Sequence, residues 1–466
     1  MLDAIPKPVL LLCERLAQAG YRGWIVGGSV RDALANELGQ SDKRPSDWDI
    51  ATSATPEQVQ RVFRRVIPTG IAHGTVTVLF EGLSLELTTL RGETTYSDGR
   101  HPDQVTFVDA IESDLARRDF TVNAIAYDPL TESFIDPHGG VDDIKARCLR
   151  AVGDPNRRFG EDGLRVLRAA RFAATLEFDI EPNTLLAIRP SLASYRKVSP
   201  ERIRDEWSKS LKAVQPSRAF QIMLEQGMLE ITAPELTEMA GCTQNRHHAY
   251  DVWTHTLHVL DNVGRDQHDL RLAALLHDVG KPRVRATHPT TGDYTFYHHE
   301  QAGAKLADDL LRRLRYANET RERVTSLVRH HLVVYDASWT DTAVRRWLRR
   351  VSAELWQDVL ALAHADVRGK GRDVHEDIVR LEQLERHAQR MLAEGAAFST
   401  RDLALSGNDL IAALGITPGP LVGKLLRQLL EDVTERPFDN QRERLLARAQ
   451  ELLATYQPGA PGLPTP

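Results

Sequence analysis

The chain of 466 residues has little cysteine, no long apolar run near its start and no excess of positive charge. Its three cysteines, Cys13, Cys148 and Cys242, are too few and too scattered for a disulfide framework or a thiolate zinc site, which favours a reducing compartment. The longest apolar run near the start, Val9 to Cys13, is far shorter than the roughly 20 residues that span a membrane, and no signal-peptide pattern surrounds it. We therefore expect a cytoplasmic protein with no membrane partner.

The charge balance excludes binding of nucleic acid through an overall positive electrostatic field. Lys and Arg total 59 against 65 Asp and Glu, a net charge of -6, so any RNA contact must use a local basic patch. Hydrophobic residues at 42% and charged residues at 27% are typical of a folded globular protein. At roughly 100 to 200 residues per domain, the length predicts about two to four domains.

Hydrophobic periodicity divides the chain into an N-terminal part that contains strands and a long helical remainder. Strands are predicted over Tyr21–Val26, Trp48–Thr52, Thr75–Phe80 and Ser84–Leu90, and helices over Ser29–Leu38 and Pro56–Val66. Ser29 is expected to cap its helix, because its side chain suits an N-cap. From about Asp142 onward, amphipathic helical patterns dominate. The fold class is therefore an α+β head followed by all-α domains, mostly helical overall.

A glycine turn and two carboxylates suggest a phosphate and metal site in the head. Gly27-Gly28 between a strand and a helix leaves backbone amides and the positive helix end facing a ligand, with Arg31 adding charge. Asp47 and Asp49 lie at i and i+2, so on a strand they share one face. Two such oxygen ligands beside a triphosphate suit Mg²⁺. Taken singly, each motif is better explained as an ordinary solvated turn.

Four motifs in a fixed order are more specific than any one of them. They are Gly27-Gly28-Ser29-Val30-Arg31-Asp32, Asp47-Trp48-Asp49, the run RRDFTVNA over 117–124, and Glu161-Asp162-Gly163-Leu164-Arg165. From about residue 20 to 235 the chain thus resembles the class II tRNA nucleotidyltransferases, the CCA-adding enzymes. The resemblance implies a polymerase-beta-like nucleotidyltransferase head. It also implies that Asp47 and Asp49 are catalytic and hold Mg²⁺, and that Gly28, Arg31 and Arg118 bind the nucleotide.

The missing basic patch lies in the next segment. Between Arg150 and Phe172 there are six Arg and no Lys against three acids, and Asp162, Arg165, Arg168 and Arg171 recur at every third residue as one helical stripe. A carboxylate that accepts from an exocyclic amine, beside a guanidinium that donates, suits cytosine and adenine but not guanine or uracil. In the family resembled, Asp162 and Arg165 select the base in this way and Arg168 and Arg171 bind other parts of the nucleotide. A solvated helix face with an ion pair is the alternative.

The resemblance implies template-independent addition of CMP and AMP, from CTP and ATP, to the 3′ end of tRNA. Bacterial poly(A) polymerases, which extend RNA with ATP alone, share most of the motifs and are the first alternative. The run Asn123 to Tyr127 is more similar to the CCA-adding version. The polar segment Thr94 to Pro102 resembles a loop that enzymes adding only CC lack, which favours full CCA addition or addition of the terminal A.

A third group of residues lies in the helical part. His255, His277-Asp278 and the distant Asp366 are expected to converge on one ion, because imidazole nitrogen and carboxylate oxygen together suit a divalent metal. Over roughly residues 245 to 370 the spacing resembles the HD phosphohydrolase superfamily. This implies a second metal (Mn, Ni, Co or Mg) and an additional phosphohydrolase activity. Three further imidazoles of this region, those of His299, His330 and His331, are expected to neighbour the site.

The patterns together predict a domain order. The nucleotidyltransferase head covers 1–145, a helical neck with nucleotide-selecting and RNA-binding helices covers 146–235, and the HD domain covers 236–375. A C-terminal helical region covers 376–466, with a disordered tail from about 458. Two alternatives apply to the HD region. Instead of a second, additional active site, the region is in the first alternative a helical bundle that keeps the fold without a metal. In the second alternative it is the main active site of a hydrolase whose head only binds RNA.

Overall fold

The computed structural model describes residues 5–40, 45, 47–71, 74–92, 107–108, 110–246, 248–336, 338–394, 397 and 399–456. The predicted loop at 94–102 and the predicted tail from 458 lie outside these residues. The chain forms two compact units. The first is Met1–Thr237 with Leu311–Tyr316, and the second is Glu238–Leu310 with Ala317–Pro466. Among the described helices, none is both long and apolar enough to cross a membrane. The predicted division into four domains stays a prediction.

The first unit begins as a mixed α/β region and continues as helices. Its strands are β1 (Gly23–Val26), β2 (Asp49–Thr52), β3 (Val66–Gly70), β4 (Thr75–Phe80), β5 (Leu83–Thr89), β6 (Ala126–Asp128), β7 (Ser133–Ile135), β8 (Cys148–Leu149) and β9 (Asp179–Ile180). Its helices are α1 (Lys7–Gln18), α2 (Gly28–Glu37), α3 (Pro56–Val62), α4 (Ile111–Ala116), α5 (Gly140–Lys145), α6 (Pro155–Glu161), α7 (Leu164–Thr175), α8 (Pro182–Leu186), α9 (Leu192–Tyr195), α10 (Pro200–Ser210), α11 (Ser217–Glu225), α12 (Met228–Thr232) and α13 (Pro234–Thr237).

The second unit is helical apart from one small pair of strands, β10 (Ala286–Thr287) and β11 (Tyr294–Thr295). Its helices are α14 (Val252–Asp261), α15 (His268–Leu276), α16 (Lys281–Val284), α17 (His299–Arg313), α18 (Asn318–His330), α19 (Asp341–Val351), α20 (Trp356–Gly369), α21 (His375–Ala393), α22 (Gly407–Leu414), α23 (Pro420–Glu435) and α24 (Arg442–Tyr456). The last turn of α17 groups with the first unit. The predicted fold class, an α+β head followed by helical domains, is confirmed.

A seven-stranded mixed sheet organises the head. Its order is β3-β4-β5-β2-β1-β6-β7, with β2 and β5 parallel and the other neighbours antiparallel. The last residue of β1, Val26, pairs with Asp49, the first residue of β2, and Asp49 in turn pairs with Glu86 on β5. Because of this register, the glycine turn that follows β1 lies beside the carboxylates of two neighbouring strands.

The helix predicted over Pro56–Val66 is too long. A capping box between Thr55 and Gln58 starts α3 as expected, but the helix ends at Val62 and Phe63 is extended. The following residues form β3, which pairs antiparallel with β4. The β-branched pair Val66-Ile67 favours a strand once a partner strand is available, and the sequence pattern alone does not show that partner.

Candidate functional site

A cavity of about 630 Å³ opens beside three neighbouring strands of the sheet, β1, β2 and β5. Its walls come from the sheet, from the glycine turn, and from helices α7 and α10. Every residue of the head and neck for which the sequence predicted a role lines it, namely Gly28, Arg31, Asp47, Asp49, Arg118, Asp162, Arg165, Arg168 and Arg171. Motifs up to about 140 residues apart in the chain therefore form one site.

The glycine turn approaches the other polar groups closely. Gly27 has φ 77 and ψ -138, a backbone conformation that in practice only glycine adopts. A Cβ atom there would lie 3.2 Å from Nη1 of Arg118 and 3.6 Å from Oδ2 of Asp49. The prediction that Ser29 caps the helix is wrong, because α2 begins at Gly28 and the Ser29 hydroxyl donates to the carbonyl of Val26. No described side chain caps α2, so its first amides remain available to an anion.

A third carboxylate joins the two that the sequence indicated. Asp49 is solvent-accessible, yet surrounding protein atoms and then Glu86 raise its pKa to about 6, while Arg118 pulls in the opposite direction. A divalent cation that binds between such carboxylates removes the repulsion between their negative charges. Carboxylate oxygens are also the ligands that Mg²⁺ prefers. The residues present therefore fit a magnesium ion. Sequence reasoning missed Glu86, since only the pairing of β2 with β5 brings it to the site.

Three guanidinium groups surround the ring of Phe172 in the cavity wall. The ring centroid lies 5.4 Å from Cζ of Arg31, 5.2 Å from that of Arg168 and 3.7 Å from that of Arg171. Cation–π contact with an aromatic face stabilises such groups and limits their rotation. Each of the three guanidinium groups has a carboxylate partner, which for Arg31 is Asp32 at 2.6 Å. This side of the cavity therefore offers oriented guanidinium groups to a phosphate or a carbonyl oxygen.

Two of these arginines have buried counterions that sequence reasoning did not assign. Arg168 donates through Nε to Asp119 at 2.7 Å, and Arg171 donates through Nε to Glu206 at 2.5 Å. Although burial alone would raise it, the attraction of Arg168 lowers the pKa of Asp119 to about 2. Asp119 belongs to the quoted motif and could have been found from it, whereas Glu206 lies on α10, a helix that no motif marks.

Asp162, the predicted base-reading carboxylate, is held from two sides. Its Oδ1 accepts from the backbone amide of Leu164 at 3.0 Å, and its Oδ2 accepts from Nη2 of Arg202 at 2.7 Å. Arg202 lies on α10, and both side chains of the ion pair are about one-fifth exposed, 22% for Arg202 and 19% for Asp162. A carboxylate has more lone pairs than these two bonds use, so Asp162 can still accept a further hydrogen bond.

Arg165 shares the cavity with Asp162, but its guanidinium is engaged elsewhere. It donates to Oε2 of Glu161 at 2.7 Å and to the carbonyls of Arg158 at 2.8 Å and Arg117 at 2.9 Å. Carbonyl and carboxylate partners fix the plane of a guanidinium, so Arg165 is rigidly placed. The two residues of the predicted base-reading pair are therefore brought together, while the ion-pair partner of Asp162 is Arg202.

The second unit contains a buried cluster of four imidazoles and two carboxylates. His255, His277 and Asp366 form one group, and Asp278, His299 and His331 form another; within each group the ligand atoms lie within 4.8 Å of one another. The four predicted residues of this region, His255, His277, Asp278 and Asp366, are thus brought together. Of the three further imidazoles, His299 and His331 join them, whereas Nδ1 of His330 lies 2.9 Å from the carbonyl of Ser326.

Both carboxylates of this cluster are held in the charged form. Burial opposes the charge of Asp278, but His277 and Lys281 hold its pKa well below its usual range. Burial likewise opposes the charge of Asp366, and a hydrogen bond and the attraction of His255 lower its pKa. By contrast, burial lowers the pKa of His331 to about 3. Although burial opposes its charge, the attraction of Asp278 raises the pKa of His277, so these two neighbouring residues form an ion pair. Imidazole nitrogen and carboxylate oxygen together are a donor set that fits a divalent transition metal.

Three family models match the chain. The residues 23–150 match the poly A polymerase head domain, 177–239 match a model described as a probable RNA and SrmB-binding site of polymerase A, and 295–449 match tRNA nucleotidyltransferase domain 2. The first match covers the sheet and the glycine turn, and the second begins after α7. The glycine turn and the three carboxylates that fit a magnesium ion lie in the first match, Arg202 lies in the second, and Asp162 and the α7 residues of the cavity lie between the two matches.

Curated relatives and a solved structure agree with this assignment. The CCA-adding enzyme of Lactobacillus johnsonii is 47% identical over 223 residues, 48% of this chain and 54% of that protein, so the match spans about half the relative's length. The CCA-adding enzyme of Limosilactobacillus fermentum is 34% identical over 96% of this chain and 97% of its own. The Bacillus stearothermophilus CCA-adding enzyme in complex with CTP has a TM-score of 0.71 at 28% identity, over 97% of this chain and 99% of that one. This chain belongs to the CCA-adding enzyme family, the class II tRNA nucleotidyltransferases.

Proposed function

We propose that this protein adds CMP and AMP from CTP and ATP to the 3′ end of tRNA, without a nucleic-acid template. One observation carries the proposal: the glycine turn, three carboxylates, the arginine stripe and the base-reading carboxylate line a single cavity. The names of the relatives support the same reaction, and CTP is the ligand of the solved relative. The helices that follow α7 supply the tRNA contact, through shape and phosphate groups rather than sequence.

In this reaction the chain's own residues position the triphosphate. Asp47, Asp49 and Glu86 would hold Mg²⁺, which lowers the pKa of the attacking hydroxyl and offsets phosphate charge. The amides of α2, together with Arg31 and Arg118, orient the phosphates beside these carboxylates. The 3′ hydroxyl of the RNA then attacks the α-phosphate, and pyrophosphate leaves. The chain contributes positioning and charge neutralisation rather than a covalent intermediate.

The base is selected by hydrogen bonding to protein. Asp162 accepts from the exocyclic amine of cytosine or adenine, while a guanidinium group of the cavity wall donates to the ring nitrogen or carbonyl. Uracil and guanine present a carbonyl oxygen where the amine should be, so two acceptors would face each other. Leaving such a group unpaired costs about 1 to 3 kcal/mol.

Nucleotide incorporation into tRNA lacking its CCA end tests the proposal. Each nucleoside triphosphate is offered singly and then together, and products are resolved on a sequencing gel. We expect CMP addition with CTP alone, a complete CCA end with CTP and ATP, and little product with UTP or GTP. Extension of arbitrary RNA by ATP alone would identify a poly(A) polymerase instead.

A second activity is proposed for the histidine cluster of the second unit. The specific observation that favours it is the convergence of His255, His277, Asp278 and Asp366, which suits a divalent Mn, Ni, Co or Mg ion and hydrolysis of a phosphate ester. The variant Asp278→Asn should lose metal-stimulated hydrolysis of p-nitrophenyl phosphate and keep CTP incorporation. Asp49→Asn should show the reverse, and loss of both activities in either variant would argue against separate sites.

A further inference from the structure

A buried carboxylate that the reaction described above does not use lies next to two arginines of the nucleotide cavity. It belongs to Asp114 on α4, and its side chain is only 1% exposed. Although burial opposes the charge of Asp114, Arg117 and then Arg118 hold its pKa below the usual value. Asp114 is therefore ionised at neutral pH, and a buried charge of this kind depends on partners that stay in place.

Both partners of Asp114 line the nucleotide cavity. Oδ1 of Asp114 accepts from Nε of Arg117 at 2.9 Å, and Oδ2 accepts from Nη2 of Arg118 at 3.2 Å. The two arginines stand three and four residues after the aspartate, so all three side chains share one face of a helical turn. Pairs at this spacing on a protein surface contribute little, because solvent screens them, but burial of the shared carboxylate removes that screening here.

Arginines at the end of a helix often serve only to compensate its free carbonyl groups. At the end of α4 other residues have this task. Nη2 of Arg158 donates to the carbonyl of Ala116 at 2.7 Å, and Nη2 of Arg165 donates to the carbonyl of Arg117 at 2.9 Å. The side chains of Arg117 and Arg118 are therefore not needed at these carbonyls, and Asp114 holds them on the cavity wall instead.

The guanidinium of Arg118 lies against the glycine turn. A Cβ atom added to Gly27 would be 3.2 Å from Nη1 of Arg118, and the first amides of α2 follow directly after Gly27. Nη1 of Arg118 also donates to the backbone carbonyl of Asn123 at 3.3 Å. These contacts with Asp114 and Asn123 use only part of the five donor hydrogens of a guanidinium, so donors remain for a phosphate oxygen at the turn.

The charges of this group favour an anion. One carboxylate, that of Asp114, serves two guanidinium groups, so the three side chains together carry one positive charge in excess. The negative charge of a nucleoside triphosphate is greatest at its two outer phosphates, and guanidinium groups held in a fixed orientation bind phosphate oxygens well. The outer phosphates are therefore the part of the nucleotide that this group suits.

We propose that Asp114 is a positioning residue for nucleotide binding, which holds Arg117 and Arg118 toward the β- and γ-phosphates of the incoming CTP or ATP. The inference rests on the proposed function and deepens it, because it names the residue that orients these two guanidinium groups. Since CTP, ATP and UTP share the same triphosphate, Asp114 has no part in the choice of base. This separates its role from that of Arg202, which holds the base-reading carboxylate.

Equilibrium binding to the full chain, measured without tRNA, tests the proposal. Asp114→Asn removes the charge and keeps the shape of the side chain, so it should weaken the binding of CTP, ATP and inorganic pyrophosphate alike, by roughly tenfold. Binding of CMP, which lacks the two outer phosphates, should stay the same. Equal weakening of CMP and CTP would indicate a general structural role and overturn the proposal, and so would an unchanged affinity for pyrophosphate.

Asp128→Asn is the matched control. Asp128 is also a buried aspartate of the first unit, and it pairs with an arginine, Arg22, at 2.7 Å, but neither residue lines the cavity. Asp128→Asn should lower the melting temperature and leave the affinity for pyrophosphate unchanged. A loss of pyrophosphate affinity as large as that of Asp114→Asn would show that any buried ion pair of this unit has the same effect, which overturns the specific role of Asp114.

A double substitution keeps the test decisive if Asp114→Asn lowers stability. In a chain that already carries Arg118→Gln, adding Asp114→Asn should weaken pyrophosphate binding by no more than about threefold, because the guanidinium that it positions is gone. The full tenfold loss in this background as well would overturn the proposal. Binding is measured apart from transfer, so unsubstituted protein that binds CTP and pyrophosphate but does not extend tRNA contradicts the proposed function and not the role of Asp114.

Discussion

At the residue scale, Asp49 shows how a side chain placed for function can lower the free energy of unfolding. Surrounding protein and Glu86 raise its pKa to about 6 in the folded chain from 3.8, the ordinary value. The unfolded chain therefore releases this proton at lower pH than the folded chain does. The destabilising effect is absent below about pH 4, grows as the pH rises through 6, and is complete above it. Binding of a divalent cation removes the effect, which is what a metal ligand requires.

Replacing this carboxylate by an amide should stabilise the protein and abolish nucleotide transfer. With chelator present at pH 7, Asp49→Asn should raise the free energy of unfolding by roughly 1 kcal/mol, a figure reduced for solvent screening because the group is exposed. The gain should nearly disappear at pH 3.5, below the ordinary pKa of the group. Thermal unfolding at both pH values measures it, with the exposed Asp142→Asn as a control that should change nothing. A lower melting temperature for Asp49→Asn at pH 7 would contradict this account.

Arg202 acts at the same scale as a positioning residue for the base-reading carboxylate. Removing it in Arg202→Gln frees Asp162 to rotate, so the preference for CTP over UTP should fall by roughly tenfold, mainly through KM. Arg202→Lys should recover part of the preference. Arg204→Gln is the matched control, because Arg204 lies on the same helix and pairs with Asp205. Ratios of kcat/KM for CTP and UTP provide the measurement, and an unchanged ratio in Arg202→Gln rules the role out.

At the scale of elements, the site is built where α7 packs against α10 and where β1 ends beside β2. The sequence predicted the four strands β1, β2, β4 and β5 and the arginine stripe of α7, because alternation and regular spacing are local signals. It did not predict β3, the counterion Glu206 or the partner Arg202. Each of these depends on a contact with a segment elsewhere in the chain. The position of Ser29 was misassigned because Gly27, with its positive φ, is the N-cap and α2 begins one residue earlier than the pattern predicts.

A side chain in the glycine turn should damage nucleotide binding as well as stability. In Gly27→Ala the backbone conformation costs about 1 to 3 kcal/mol, and the new Cβ crowds Arg118. Gly39→Ala is the control, because Gly39 also has a positive φ, of 67°, but no heavy atom lies within 4 Å of its added Cβ. Both variants should melt at lower temperature, and only Gly27→Ala should raise the KM for CTP, by tenfold or more. Equal KM values in the two variants would show that the turn does not contact the nucleotide.

At the scale of the whole molecule, each compact unit holds its own chemistry. All the residues that line the nucleotide cavity come from the first unit, and all the ligands of the histidine cluster come from the second. The sequence predicted the motif residues of both sites because those motifs use rare combinations of residues. It suggested His299 and His331 as neighbours of the cluster, but only the packing of the helices shows that they approach Asp278 and that His330 does not join them. The two activities should therefore be separable by single substitutions.

The central claim is that Asp162 selects the base of the incoming nucleotide. The preference of the variant Asp162→Asn for CTP over UTP tests this claim most directly. An amide presents a donor as well as an acceptor, so the variant should accept uracil, whose carbonyl oxygen the carboxylate rejects. Single-turnover rates with CTP and UTP on tRNA lacking its CCA end give the ratio directly. We predict that the CTP:UTP ratio falls at least tenfold and that UMP incorporation rises in absolute rate. A variant that transfers CMP and still excludes UTP as strictly as the unsubstituted protein would contradict the account.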